Sequence, residues 1–343
     1  MTEGGDRGDD PNDHLLEILG GKHRAQALST AAALGIADRL VADGARDSAT
    51  LARETGCGDV AALDSLLRLL AGLGFLSEPT PGCFAITELG RTLCRDRLGA
   101  FAEFVGAAEQ WDAWARLRDA IRTPERGTAF ERAVDRGLYE FLATDAAAAR
   151  RYDAAIEAFT RYEGIRLGER LDIPDGATIV DIGGGRGTLL LELLAHRPAA
   201  RGVLFDLPHV IENVAAAFAG QPDTERIELT PGDFFSGIPR GGDVYLLKHV
   251  LHNWDDDRAA ELLRACATAM APNGRIVAID ALLAPDNRPD LARMLDLEMR
   301  VLTGGRERRK PELRQLFASA GLVLGQLERL TAASWLLVAE RRP

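Results

Sequence analysis

The sequence is poor in several features that would narrow its surroundings. Only four of its 343 residues are cysteine. Cys57, Cys83, Cys94 and Cys266 are scattered without a C-x-x-C pair, which excludes a disulfide framework or a zinc-ribbon spacing and points to reduced thiols. Positive charge is outnumbered: 41 Lys and Arg face 52 Asp and Glu, a net charge of -11. An acidic chain repels phosphate backbones, so nucleic acid is not an expected partner. No apolar run reaches the roughly 20 residues a bilayer-spanning helix needs, so no membrane partner is expected. The opening MTEGGDRGDDPND has no apolar stretch of the secretory kind. No internal repeat is present. These absences together predict a cytoplasmic protein.

What is present is apolar content. Hydrophobic residues make up 46% of the chain, enough for a large core, and the length suggests two domains. Residues 1–12 read as a disordered tail. Residues 13–98 read as an Ala/Leu-rich helical domain. Within it, Ser48–Thr55 is a short capped helix and Val60–Leu73 an apolar-striped one ending at Gly74. The runs FLSE and CFAIT then form a hairpin, which completes a winged-helix pattern. Residues 99–170 read as further helices, linking domains and lining a substrate pocket.

From residue 171 to 343 the style changes. Seven β-rich runs (TIVDIGG, GVLFDL, RIELTPGDF, DVYLLKHV, RIVAIDALL, LVLGQLERL and SWLLVAERR) alternate with helical stretches. Such alternation predicts an α/β fold with a doubly wound, mainly parallel sheet. The last two runs are too close for a crossover helix and should pair antiparallel. A seven-stranded sheet with its last strand antiparallel is the methyltransferase variant of the Rossmann-like architecture.

The sharpest motif is Asp181-Ile182-Gly183-Gly184-Gly185-Arg186-Gly187, between a strand and the helical TLLLELLAH. Glycines allow a tight turn and close approach of backbone to ligand, and the next helix offers open N–H groups. A dinucleotide loop of the form G-x-G-x-x-G needs glycine or alanine at 188, where Thr188 stands. The pattern is instead D-x-G-x-G-x-G. Its acid suits the ammonium group of S-adenosyl-L-methionine, which has no pyrophosphate, better than it suits a nicotinamide dinucleotide. A glycine-rich turn without a ligand is the bland alternative. Asp206, followed by Leu207 in LFDLP, ends the second strand, where a carboxylate can accept two ribose hydroxyls or cap a helix begun by Pro208. Asp233 and Phe234 end the third, suited to an adenine amino group and ring.

The fourth strand runs into Lys248-His249-Val250-Leu251-His252-Asn253-Trp254. A histidine at the carboxyl end of a parallel strand faces the ligand crevice. Phenols ionise near pH ~10 and ordinary imidazole near ~6.5. A neutral imidazole can therefore remove the proton in concert with attack on an activated methyl group, though not by full prior ionisation. His249 and His252 compete for this role. Joined by one of Asp255–Asp257 they would form a poorly specified zinc site; no metal is expected.

With DIGGGRG, LFDLP, GDFF, LKHVLHNWDDD and GGRER, residues 20–340 resemble the caffeate-type plant O-methyltransferases and their bacterial relatives that tailor polyketides and aromatics. The resemblance implies an N-terminal winged-helix-like dimerisation domain and a C-terminal domain that binds S-adenosyl-L-methionine and releases S-adenosyl-L-homocysteine. It implies His252 as general base, with Asp280 and Glu307 as flanking acids. Asp280 is shorter than the glutamate common there. It also implies Lys248 at a donor-contacting position. Asn253 replaces the aspartate of the plant enzymes. Met299 resembles a substrate-lining methionine, though methionine at helical spacing also serves a core, and Trp111 suits either the acceptor pocket or the helical core.

The helix DVAALDSLLRLLAGLG has one basic residue, Arg68, too few for a DNA reader. Its apolar bias predicts burial against a second subunit, and hence a homodimer. The favoured reading is O-methylation of a small aromatic or polyketide-type hydroxyl. Carbon or nitrogen methylation, a donor-dependent reaction without methyl transfer, a ligand-sensing transcriptional regulator and a nicotinamide oxidoreductase remain as alternatives.

Overall fold

A computed structural model describes residues 10–218, 224–287 and 289–342. The chain forms two compact units: one holds the residues up to Trp111 with Ala146–Phe159, the other Asp112–Asp145 with the residues from Thr160 onward.

The first unit is mainly helical, with helices Pro11–Leu19, Gly21–Ala33, Ile36–Asp43, Ser48–Thr55 and Val60–Gly72. Residues 11 and 12 of the expected tail are in fact the first helical turn. Pro11 stands where a missing N–H costs nothing, and Asp10 caps the turn by accepting from Asn12 N. Residues 1–9 lie outside the described residues. That first helix buries none of its residues, and Leu15, Leu16, Ile18 and Leu19 are each more than half exposed.

Helix Val60–Gly72 starts at Asp59, whose side chain accepts from Ala62 N. Its stripe of Leu63, Leu67 and Leu70 packs on Leu40, Leu51 and Phe84 of the same unit. This corrects the expectation that a second subunit covers that face: i, i+4, i+7 spacing serves the unit's own core first. Arg68 is held by Asp64 at 2.7 Å and Glu78 at 3.0 Å. The hairpin Leu76–Thr80 with Cys83–Ile86 forms as expected, and Arg46–Asp47 adds a third strand to it.

The second unit is built on seven strands: β1 (Thr178–Ile182), β2 (Arg201–Asp206), β3 (Ile227–Pro231), β4 (Val244–Lys248), β5 (Arg275–Asp280), β6 (Leu322–Arg329) and β7 (Trp335–Arg341). Their order is β6-β7-β5-β4-β1-β2-β3. All run parallel except β7, which is antiparallel to both β5 and β6. Both faces are covered, so the inner strands β1, β4 and β5 read as nearly continuous apolar runs. Val180, Ile182 and Leu247 pack towards helices Asp256–Ala269 and Lys310–Ser319, while Ile179, Leu204 and Leu246 pack towards Thr188–Ala195.

The chain steps from β1 outward to β2 and β3, then returns to the other side of β1 as β4. That reversal opens a crevice beyond the carboxyl ends of β1 and β4. Two strands end earlier than expected. β3 stops at Pro231, leaving Asp233 and Phe234 in the following turn, and β4 stops at Lys248.

Candidate active site

The glycine loop lies where β1 meets the crevice. Gly183, Gly185 and Gly187 have φ of 68°, 56° and 74°, a left-handed backbone that L side chains rarely adopt. At Gly184 a Cβ would overlap the Leu204 side chain and come within 2.6 Å of the Asp181 carboxyl. Helix Thr188–Ala195 begins at Gly187 without a side-chain cap. Asp181 is 1% exposed, and its Oδ2 has no hydrogen-bond partner among the described residues. Burial, reinforced by Asp206 and opposed by Lys248, pushes its carboxyl up to about 7.

Asp206 braces the loop from β2. It accepts from Gly185 N at 2.8 Å and from Leu207 N at 2.7 Å, and burial raises its carboxyl above the ordinary range. Leu207 beside it is 45% exposed. Asp233 accepts from Phe235 N at 2.9 Å, and Phe234 stands edge-on to Trp254 with ring centres 6.0 Å apart. A loop lacking room for a Cβ, beside a buried unbonded carboxyl, fits a ligand that brings a cationic amine and approaches the backbone closely. S-adenosyl-L-methionine is such a ligand.

His252 is not at the strand end. The chain turns at His249 with φ 53°, uncommon for any residue but glycine, and His252 sits in the short 3-10 turn Leu251–Asn253. The turn is tied down from several sides. His249 N donates to Ile279 O at 2.8 Å, and Asn253 Nδ2 donates to His249 O at 3.0 Å. Arg308, only 2% exposed, donates to the carbonyls of Leu251 and Trp254 and to Asp256.

The flanking acids converge on this turn. His252 Nδ1 lies 2.8 Å from Glu307 Oε1 and 3.6 Å from Asp280 Oδ1. Two short pieces of strand explain the meeting: Leu282–Leu283, just past β5, pairs in parallel with Arg308–Arg309. Arg306 N donates to His252 O at 2.9 Å, and a Cβ at Gly305 would overlap that same carbonyl. The GGRER segment thus docks through its second glycine. Burial raises the Glu307 carboxyl, and the hydrogen bond to His252 opposes the rise.

One carboxylate had no signature in the sequence. Glu163, fully buried, lies 3.1 Å from Lys248 Nζ and 3.2 Å from His249 Nε2. Burial would raise its carboxyl, but His249 and Lys248 outweigh that and hold it near 2. His249 is correspondingly raised to about 9, with Glu163 overcoming burial and Lys248. Ligand atoms of His249, His252 and Asp280 all lie within 4.8 Å of one another, a grouping compatible with an ion. To serve such an ion, His249 would first have to give up the proton that Glu163 favours on its ring.

The remaining expected residues are less central. Met299 is half-buried on helix Leu291–Leu302, where neighbouring Glu298 accepts from Trp114 Nε1 at 2.6 Å. Trp111 belongs to the first unit, where its indole N–H reaches Val105 O at 3.2 Å.

A doubly wound sheet with an antiparallel seventh strand, a glycine-lined crevice and a carboxylate-flanked histidine define a methyltransferase. The chain matches the O-methyltransferase domain over residues 114–323 and the O-methyltransferase dimerisation domain over residues 16–96, and it belongs to that family of S-adenosyl-L-methionine-dependent enzymes. It is similar to phenazine O-methyltransferase PhzM of Lysobacter antibioticus, 37% identical over the whole of both chains. It is equally similar, at 37%, to the mitomycin biosynthesis 6-O-methyltransferase of Streptomyces lavendulae, over 89% of this chain and 87% of that one. Among solved structures, human N-acetylserotonin methyltransferase in complex with SAM superposes with a TM-score of 0.88, at 26% identity, covering 98% of this chain and 99% of that one. Among the described residues no helix is long and apolar enough to cross a membrane.

Proposed function

We propose that the enzyme methylates a hydroxyl of a small aromatic or polyketide-type molecule, with His252 as general base and without a metal. The observation that carries this reading is the 2.8 Å contact between His252 Nδ1 and Glu307 Oε1. With Nδ1–H donated to the carboxylate, Nε2 is the basic nitrogen. Glu307 and Asp280 would then stabilise the imidazolium formed when Nε2 takes the acceptor's proton. The donor, when bound, supplies a methyl group already activated on a cationic sulfonium. Asp181 and the loop of Gly183, Gly184, Gly185 and Gly187, whose backbone a ligand can approach closely, would hold its methionine end. Asp206 and Leu207 would hold the ribose, and Asp233 and Phe234 the adenine, with Lys248 beside them. Asn253 and Met299 are the candidates for acceptor contact. Alignment and proton removal are the protein's share of the chemistry.

The exposed apolar helix Pro11–Leu19 and the dimerisation-family match support a homodimer joined through the N-terminal helices. Arg68, held by two acids, is poorly placed to grip phosphates, which speaks against nucleic acid and the regulator reading. Thiols unpaired among the described residues suit a cytoplasmic enzyme.

The test is a mass screen of phenolic polyketides and aromatic acids for gain of one methyl group, followed by His252→Ala. Loss of at least ~100-fold in turnover, with S-adenosyl-L-homocysteine binding kept in calorimetry, is expected. Unchanged turnover would refute the base assignment.

A further inference from the structure

The pair of buried Glu163 and half-buried His249 lies beside the proposed base and outside the roles assigned above. Glu163 comes from helix Ala146–Arg170, and His249 from the left-handed turn that ends β4. The two imidazoles of His249 and His252 stack, with centroids 5.2 Å apart and planes 23° from parallel. Asp280 lies 3.8 Å from His249 Nδ1 and 3.6 Å from His252 Nδ1. Left-handed strain at a non-glycine residue persists only where the surroundings fix it, and it clusters at functional sites.

We infer that Glu163 and His249 are positioning residues for the base: the buried carboxylate holds a positive ring stacked on His252, and that charge keeps His252 free to accept a proton from the acceptor. This rests on reading His252 as the base. The charged and titratable groups around His249 are Glu163 from the long helix, Lys248 on β4, His252 in the turn, Asp280 at the end of β5 and Glu307 from GGRER. Ser334, fully buried in the turn before β7, helps to hold the Glu163 carboxyl low. Three carboxylates against two cations, Lys248 and His249, leave one negative charge, which a proton arriving on His252 cancels. Without a charge on His249, the surplus negative charge would load that proton before the acceptor arrives. The high pKa of His249 fits this role.

Two variants test the inference. His249→Asn removes the charge with a residue that tolerates a left-handed backbone, and Glu163→Gln keeps the shape of the partner. In protein labelled with ¹⁵N-histidine, one ring of the wild type should remain cationic at pH 8. Its signal should vanish in His249→Asn and titrate near the ordinary histidine range in Glu163→Gln. With a phenolic acceptor from the mass screen, the acid limb of kcat/KM should move to higher pH in His249→Asn, and by less in Glu163→Gln, which loses the carboxylate's charge together with the ring's. A shift of about one unit or more is expected for a charge at this separation, with turnover recovering on the alkaline side.

A His249 ring that titrates near neutrality in the wild type would overturn the proposal. So would Glu163→Gln leaving its charge intact, or a uniform fall in turnover with the limb unmoved. Failure of the base assignment looks different: His252→Ala would then retain its turnover, while the NMR arm would still read whether Glu163 charges His249.

Discussion

Glu307 Oε1 sits 2.8 Å from His252 Nδ1, and both groups are almost wholly buried, the histidine residue 9% and the glutamate 2% exposed. A carboxylate so placed costs stability, because burial raises its proton affinity above that of the unfolded chain. A raised carboxyl makes the native state bind more protons than the unfolded one, so stability falls as pH rises through the window above the ordinary value. Glu307→Gln should therefore lower kcat by about 10- to 100-fold, a part of what general-base catalysis contributes. Its melting temperature at pH 7–8 should equal or exceed that of the wild type. Stopped assays beside differential scanning calorimetry would check both; a clear loss of stability would contradict the argument.

The glycine loop predicts a different separation of effects. Gly184→Ala places a methyl group against Leu204 and the Asp181 carboxyl. Overpacking of this kind costs about 1–3 kcal/mol. The expected result is loss of S-adenosyl-L-homocysteine binding by calorimetry in a protein that still folds. Donor affinity close to that of the wild type would show that the loop is not the donor site.

The pH dependence of stability should expose the Glu163–His249 pair. Glu163 is lowered to about 2, so its contribution is full above the ordinary carboxylate value and fades as pH falls towards 2. His249 is raised to about 9, so its contribution is full below about 6.5 and is lost as pH rises through 9. The two windows overlap between about pH 5 and 6.5. The melting-temperature deficit of Glu163→Gln relative to the wild type should be largest there and shrink towards pH 9. A deficit independent of pH would mean that packing, not charge, holds the pair.

Helix Pro11–Leu19 carries the oligomer prediction. Leu16 is 65% and Ile18 62% exposed, so Leu16→Glu with Ile18→Glu leaves the unit's own core untouched. Light scattering after size exclusion should show a dimer for the wild type and a shift towards monomer for the double variant. A dimer that survives both changes would place the interface elsewhere.

Much of this was legible in the sequence, for identifiable reasons. Strands β1, β4, β5 and β7 are buried on both faces and announce themselves as apolar runs. The glycine loop is legible because three of its residues adopt backbone angles that other residues avoid. Glu307 was reachable through GGRER because close docking against the His252 carbonyl requires Gly305. Glu163 was not, since a carboxylate in an Ala-rich helix looks like any solvated charge until the fold brings Lys248 and His249 against it. The left-handed turn at His249 was hidden for a similar reason: it is imposed by bonds to Ile279 and Asn253, not by local preference. Arg308 stood within the GGRER neighbourhood as one basic residue among several. Its burial against the Leu251 and Trp254 carbonyls is a tertiary fact.

The placement of β7 has a consequence for biosynthesis. Trp335 pairs with Asp280, and Ser334 just before it helps to hold the Glu163 carboxyl low. The acid beside the base and the acid behind it are thus secured by residues translated after every signature motif. A nascent chain halted before residue 334 would carry every signature motif and still expose an unpaired β5 edge. Competence should arrive abruptly, when β7 slots in, leaving a ribosome-bound interval in which the open edge invites aggregation or a chaperone.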